Sequence, residues 1–174
     1  MVIKVFLANF SQYCEGMVTT GKEVSLPCSP SDLVTVLNEI GVTPEQDYFL
    51  LKWSCEVDGI CPCISERTSL AEVNYIAGVL NPLSSEKRMI VSALIEAKRP
   101  DMNQLTLLLE SLSSYILLPD IQEDKELGYY FAETLKRITI PDHIKPYFDY
   151  EVYGREMRKT IRGIYTSYGF LLSN

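Results

Sequence analysis

The segment SPSDLVTVLNEIGV (residues 29–42) predicts a helix whose two ends are both marked in the sequence. Ser29 is a favoured N-cap, Pro30 suits the first turn, and Asp32 stands at the third helical position of a capping box. Gly41 is placed to end the helix, since glycine readily adopts the left-handed conformation that follows a last turn. The apolar residues of the segment recur at helical spacing, at Leu33, Val36, Leu37 and Ile40.

Three segments with strand character flank this helix. VIKVFLANF (2–10) and GKEVSLP (21–27) precede it, and DYFLLKWSCEV (47–57), rich in aromatic and apolar residues, follows it. Strands around one helix predict a small α+β lobe over residues 1–64.

A run of helices separated by prolines follows. Ser69 and Glu72 have capping-box spacing, SSEKRMIVSALIEAK (84–98) forms a second helix, and Asp101 with Gln104 opens a third. The apolar stripes of the first and third helices are Leu70, Val73, Ala77 and Leu80, and Leu105, Leu108, Leu109 and Leu112. These helices predict a compact helical lobe.

The last part of the chain mixes the two types again. SYILLPDI (114–121) predicts a strand, IPDHIKPY (140–147) a turn with a short helical piece, and RGIYTSYGFLL (162–172) a closing hairpin. EDKELGYYFAETLKRI (123–138) predicts a helix with one face formed by Leu127, Phe131, Thr134 and Ile138.

The segment FDYEVYGRE (148–156) allows two structures. As a strand it places Phe148, Tyr150 and Val152 on one face. As a helix it aligns Tyr147, Tyr150, Gly154 and Met157, and we favour the helix. The predicted fold class is therefore α+β, an elongated chain of three lobes: a small α+β lobe (1–64), a helical lobe (65–114) and a second small α+β lobe (115–174).

Acidic residues outnumber basic ones. Against 16 Lys and Arg stand 23 Asp and Glu, so the formal net charge is −7. Nucleic acid and anionic membranes attract basic surfaces, so we expect neither as a direct partner. The charge is uneven: residues 1–154 carry 22 acids and 12 bases, net −10, whereas residues 155–174 carry 1 acid and 4 bases, net +3. The basic segment REMRKTIR (155–162) thus opposes the rest of the chain.

The sequence predicts a cytoplasmic protein. No apolar run approaches the roughly 18–20 residues that span a bilayer. The N-terminal MVIKVFLANF (1–10) has only a short apolar stretch and no small-residue cleavage site, and we interpret it as a strand.

The five cysteines do not suggest a metal centre. Cys55, Cys61 and Cys63 cluster, but the CPC spacing with its central proline differs from the CxxC pairs of zinc sites. The only histidine, His143, is distant in sequence, which also gives no support for a cysteine protease. We therefore expect reduced cysteines and no bound metal.

Motifs of catalysis and cofactor binding are missing from the sequence. It contains no Gly-rich phosphate loop, nucleophile elbow or helical zinc-protease motif. Carboxylates close in sequence, such as Asp149 with Glu151, would need burial to act as general acid and base. Most acids fall at polar positions of the predicted elements and should be solvated. The sequence therefore predicts no enzyme activity and no cofactor.

Several segments carry a family resemblance. They are VFLANFSQYCEG (5–16), VSLP (24–27), LNEIGV (37–42), DYFLLKW (47–53), ISERTSLAEVNYIAGVL (64–80), ELGYYFAE (126–133), IPDHIKPYFDYEVYGRE (140–156) and RGIYTSYGF (162–170). In this order they resemble the antirestriction proteins of the ArdA family nearly from end to end. The resemblance includes the Ala-Asn pair at the end of the first strand and the Tyr-x-x-Gly that follows it.

The resemblance implies a DNA mimic. Members of this family are elongated, curved homodimers of three small lobes, typically encoded on conjugative elements, with carboxylates in place of phosphates. They occupy the DNA-binding groove of type I restriction-modification enzymes, so this enzyme core is the expected partner. The candidate phosphate-mimicking acids are Asp120, Glu123, Asp124, Glu126, Glu133, Asp149, Glu151, Glu56, Asp58, Glu66 and Glu72.

Two alternatives remain open from the residues themselves. The chain is also compatible with an acidic interaction module that binds a basic regulatory partner through one local patch. A thiol- or metal-dependent enzyme built on CEVDGICPC (55–63) is the second alternative, and metal analysis of the purified protein distinguishes it.

Overall fold

A computed structural model describes residues 2–16, 21–42 and 48–173 of the chain. These residues form seven α-helices and six β-strands, which confirms the α+β class. The chain divides into two compact units, Met1–Arg88 with Pro100–Leu109 and Met89–Arg99 with Glu110–Asn174. The three-lobe division with boundaries at 64 and 114 stays a prediction. Across the described ranges, no helix combines the length and apolarity that crossing a membrane requires.

The first unit is built on a three-stranded antiparallel sheet. Its strands are β1 (Ile3–Asn9), β2 (Gly21–Leu26) and β3 (Tyr48–Cys55), in the order β2-β1-β3. Ile3, Val5 and Leu7 of the central strand are almost fully buried, as expected for alternate positions that face a core. All three strands were predicted, but Asp47 of the third predicted segment lies outside the described residues. A short helix, α1 (Phe10–Cys14), follows β1.

The helix predicted within residues 29–42 begins as its sequence indicates. In α2 (Pro30–Glu39), the Ser29 hydroxyl accepts the Asp32 amide at 3.2 Å, and the Asp32 carboxylate accepts the Ser29 amide at 3.2 Å. Gly41 follows the helix with a φ of +70°. Next to it, the buried Asn9 side chain donates to the Gly41 carbonyl at 3.0 Å, tying the end of β1 to the end of α2.

The three predicted helices of the central region are all present. They are α3 (Leu70–Leu80), α4 (Ser85–Lys98) and α5 (Met102–Glu110). The capping box of α3 forms between Ser69 and Glu72, and at the start of α5 the Gln104 amide donates to Asp101 at 2.8 Å. Both predicted stripes face inward: every member is buried except Leu108, which is half-buried.

The second unit holds the other sheet. Its strands β4 (Tyr115–Leu118), β5 (Ile164–Thr166) and β6 (Gly169–Ser173) are antiparallel in the order β4-β6-β5. This confirms the predicted strand and the closing hairpin, and a 3₁₀ turn at Lys145–Tyr147 confirms the short helical piece. One buried hydrophobic cluster of the unit is formed by Ile121, Leu127, Phe131 and Phe170.

Two helices of this unit cross at a pair of glycines. The helix α7 (Tyr150–Ile161) confirms the helical interpretation of residues 148–156, and it packs on α6 (Asp124–Tyr129). A Cβ on Gly128 would lie 2.9 Å from the Gly154 nitrogen and closer still to the Tyr150 carbonyl oxygen. A Cβ on Gly154 would lie 2.7 Å from the Gly128 nitrogen. The two backbones therefore touch where each helix lacks a side chain.

Two parts of the helix predictions for this unit are wrong. Tyr147 lies outside α7 and is 85% exposed, because the helix begins only after the Asp149 cap. The predicted helix 123–138 is shorter than expected, since α6 continues only through a π-helical turn at Tyr130–Thr134.

This π-helical turn alters the predicted helical face. The Leu135 amide bonds to the Tyr130 carbonyl at 2.9 Å, a five-residue spacing that shifts the later side chains around the axis. Thr134 is therefore exposed, although Leu127 and Phe131 are buried as predicted. Lys136 adopts a φ of +51°, so Ile138 lies beyond the helix.

Candidate functional site

The candidate acids of the first unit are all exposed. Glu56 forms an ion pair with Arg88 at 3.3 Å, and the Glu72 carboxylate accepts the Ser69 amide at 3.2 Å. Glu66 lines a groove of about 520 Å³ together with Arg67, so a basic side chain stands beside it. Asp58 is exposed in the turn that follows β3.

Three candidate acids of the second unit lie around one groove. Asp120, Glu123 and Glu126 line a groove of about 480 Å³ together with Tyr129, Tyr130 and Tyr150. These six residues are called the acid–tyrosine groove below. The structure therefore brings together acids that the sequence analysis placed in a predicted strand (114–121) and in the first turn of a predicted helix (123–138).

The acids of this groove differ in how they are held. All three are exposed. One Glu126 oxygen accepts the Gln122 amide at 2.7 Å, which orients that carboxylate at the start of α6. Because a carboxylate can accept about four hydrogen bonds, Glu126 keeps the capacity to bind a further donor.

Glu133 is hydrogen-bonded to one tyrosine of the groove. Its carboxylate accepts the Tyr150 hydroxyl at 2.8 Å and lies 3.1 Å from the Lys145 ammonium. The Tyr150 hydrogen bond, and then Lys145, lower the pKa of Glu133, while the same hydrogen bond raises the pKa of Tyr150. With a side chain only 21% exposed, Glu133 is engaged by its own unit.

Asp124 is the most enclosed candidate acid of this unit. Its side chain is 16% exposed, and Oδ1 lies 2.9 Å from Arg158 Nε and accepts the Tyr165 hydroxyl at 2.8 Å. Burial and then this hydrogen bond raise the pKa of Tyr165. Arg155 Nε lies 3.8 Å from Oδ2. Asp124 therefore joins α6, α7 and the hairpin, and little of its carboxylate faces solvent.

Three of the four basic side chains after residue 154 form ion pairs within their own unit. Arg155 pairs with Glu151 at 3.0 Å, Arg158 pairs with Asp124, and Lys159 pairs with Glu156 at 2.8 Å. Most of the positive charge of this segment is therefore paired with acids of the same unit, and Glu151 is partly neutralised.

The crowding of acids and aromatics in residues 148–156 has a structural explanation. Asp149 caps α7 by accepting the Val152 amide at 3.0 Å and stays exposed. The Phe148 ring packs edge to face on Tyr150 and Tyr153, with centroids 4.9 and 5.7 Å away. The rings are thus half-buried supports beneath an acidic helix start.

Of the clustered cysteines, Cys55 lies in β3, and Cys61 and Cys63 lie in a 3₁₀ turn after it. Within residues 2–16, 21–42 and 48–173, no three His, Cys, Asp or Glu side chains come together as metal ligands. Burial raises the pKa of the Cys55 thiol to about 11, so this thiol is protonated at neutral pH. A metal would have to displace that proton before binding.

We expect the purified protein to contain no stoichiometric zinc, and we expect a variant with Cys55, Cys61 and Cys63 changed to serine to keep the fold and activity. Elemental analysis measures the zinc content, circular dichroism measures the fold, and displacement of labelled DNA from the enzyme core expected from the resemblance measures the activity. One zinc per chain, or lost activity in a folded variant, would contradict this expectation and favour the thiol or metal enzyme.

Sequence reasoning missed the tyrosines of the acid–tyrosine groove. Tyr129 is 56% exposed, and its ring centroid lies 5.6 Å from that of Tyr150, which comes from α7. Adjacent tyrosines directly after a cluster of acids were visible in the sequence. Their meeting with Tyr150 was not, because it depends on the crossing of two helices.

Comparison with known proteins identifies the family. The family model described as Antirestriction protein (ArdA) matches residues 5–171, almost the whole chain. No match was found among curated proteins. A match of this extent includes both units and the acid–tyrosine groove. The chain therefore belongs to the ArdA family of antirestriction proteins.

Proposed function

We propose that this protein mimics bent B-form DNA with surface carboxylates and blocks the DNA-binding groove of type I restriction-modification enzymes. Family membership carries the proposal, since the family is one of antirestriction proteins. Exposed acids on both units support it. Such a protein would act in the cytoplasm, where these enzymes meet DNA that enters on conjugative elements.

Regular secondary structure can approximate the spacing of phosphates. Phosphates of one strand advance about 3.4 Å along the DNA axis. Carboxylates four residues apart on a helix are about 5–6 Å apart between Cβ atoms, and those two residues apart on a strand are about 6.6 Å apart.

Several candidate carboxylates are exposed and yet held in place. Glu72, Asp149 and Glu126 each accept a backbone amide next to a helix start. Such anchoring reduces the side-chain entropy that binding would otherwise remove. A rigid mimic that is already bent would also avoid the few kcal/mol needed to bend real DNA.

The candidate acids differ in exposure and in their partners, and we propose different roles for them on that basis. Asp124 and Glu133 are engaged inside the second unit, so we assign them to stability. Asp120, Glu123 and Glu126 are exposed in one groove, so we assign them to enzyme binding. Glu56, Asp58, Glu66, Glu72, Asp149 and Glu151 remain candidates for the same surface.

The protein is expected to displace labelled DNA from a methyltransferase core complex, and less effectively as salt rises, because the attraction is spread over many charges. Exposed pairs contribute about 0–1 kcal/mol each, so Glu123→Gln alone should change the inhibition constant little. Changing Asp120, Glu123 and Glu126 together to amides should weaken inhibition about tenfold to hundredfold. Fluorescence anisotropy of the labelled DNA measures both.

A charge-matched control separates local binding from total charge. Changing Glu15, Glu23 and Glu110 to glutamine removes the same three charges from exposed positions outside the candidate set. If the wild-type protein fails to displace DNA at low salt, the proposal that it mimics DNA is refuted. Equal loss in both triple variants would show that only net charge matters and would contradict our choice of acids.

We also propose that the protein acts as an elongated homodimer, as the family resemblance implies. Small-angle scattering at micromolar concentration should give twice the mass of one chain and an extended distance distribution. A compact particle with the mass of one chain would contradict this proposal.

A further inference from the structure

The acid–tyrosine groove is lined by carboxylates and by aromatic rings, and few small ligands contact both kinds of group favourably. Asp120, Glu123 and Glu126 supply carboxylates, and Tyr129, Tyr130 and Tyr150 supply aromatic rings, around about 480 Å³. An anion would be repelled by the acids, and a neutral apolar group would strip water from them without replacing it. The groove therefore favours a cation that tolerates contact with aromatic rings.

Contacts within the unit hold one tyrosine of the groove, Tyr150. The Tyr150 hydroxyl donates to Glu133, and the Tyr150 ring packs against Phe148, which precedes α7, and against Tyr129. Tyr129 leaves more than half of its surface exposed. Because Tyr150 is held by these contacts, its ring offers an aromatic surface with little loss of side-chain freedom on binding.

The acid side is arranged for more than one hydrogen bond. Glu126 is oriented by the Gln122 amide, and the exposed Asp120 and Glu123 border the same space. Lys125 also lines the groove, so three carboxylates face one ammonium there. The groove therefore keeps a net negative charge and can bind a second cation in addition to the Lys125 ammonium.

We propose that this groove binds the guanidinium of an arginine side chain of the restriction-modification enzyme, an assignment that rests on the proposed function. A guanidinium is planar, stacks on aromatic faces and bonds carboxylates with two parallel N–H groups, whereas an ammonium is compact and strongly hydrated. A DNA-binding groove presents such side chains toward phosphates. The mimic thus recognises one arginine by shape in addition to the general attraction between charges.

A small probe tests the groove without the enzyme. N-acetyl-arginine amide, titrated into ¹⁵N-labelled protein, should give saturable shifts at the amides of Glu126 and Tyr129, with a dissociation constant at least about threefold below that of N-acetyl-lysine amide. Tyr129→Leu keeps the charge and should abolish this preference, whereas Tyr75→Leu, a second half-exposed tyrosine on α3, should leave it unchanged. Equal affinities for both probes, or shifts that do not saturate, would overturn the guanidinium site.

The enzyme assay then separates this proposal from the proposed function. In displacement of labelled DNA, Tyr129→Leu should weaken inhibition about tenfold, and Tyr75→Leu should not change it. If the wild-type protein competes and Tyr129→Leu competes equally well, the arginine assignment fails while the DNA mimic stands. If the wild-type protein does not compete but selects the arginine probe, the proposed function fails and the guanidinium site remains.

Discussion

Gly128→Ala or Gly154→Ala should destabilise the second unit by more than about 3 kcal/mol. At each position a new methyl group would fall on backbone atoms of the opposite helix, which cannot rotate away as a side chain can. The helices α6 and α7 would have to separate, and the packing of Leu127 and Phe131 would loosen with them. Urea unfolding followed by far-ultraviolet circular dichroism measures the loss.

The matched control is Gly78→Ala. Gly78 lies within α3, and among the described residues no atom beyond its chain neighbours and its own helix backbone lies within 4 Å of its expected Cβ. Alanine there should be neutral or stabilise by up to about 1 kcal/mol, since alanine is the better helix former. Hydrogen exchange measured by mass spectrometry should show faster exchange in residues 124–161 of the crossing variants. Wild-type stability in either variant would show that the two helices do not approach so closely.

Asp124→Asn should lower the free energy of unfolding by about 2–3 kcal/mol. The change leaves Arg158 without its nearest counter-charge and weakens the hydrogen bond from Tyr165, so α7 and the hairpin lose a shared contact. The effect is below that of a fully buried pair because Arg155 and Arg158 remain partly exposed. Denaturation in urea at neutral pH measures it.

Asp120→Asn is the control for this variant, since it removes the same charge from an exposed position near α6. We expect less than about 0.5 kcal/mol for it. If the two variants are equally stable, the enclosed ion pairs contribute nothing and Asp124 returns to the acids available for binding. For this reason the grouped variant used to test inhibition leaves out Asp124 and Glu133, whose neutralisation would confuse unfolding with lost binding.

Local pattern was enough for most helix starts and apolar faces. The capping boxes of Ser29 with Asp32 and of Ser69 with Glu72 form as predicted, because both partners lie three residues apart and the geometry is set within one turn. Buried stripes such as Leu70, Val73 and Ala77 follow from helical periodicity alone. The same reasoning failed at Thr134 and Ile138, since a π-helical turn has no reliable signal in periodicity.

The sequence by itself determined the α+β class, the capped helices, the acidic character and, by resemblance, the family. Only the tertiary structure decided which acids are engaged, because Asp124 meets Arg158 and Tyr165 across 34 and 41 residues of chain. It also decided that Gly128 and Gly154 face each other and that Tyr129 meets Tyr150. Composition and spacing carry no information on such pairs, since they depend on where two helices cross after the chain has folded.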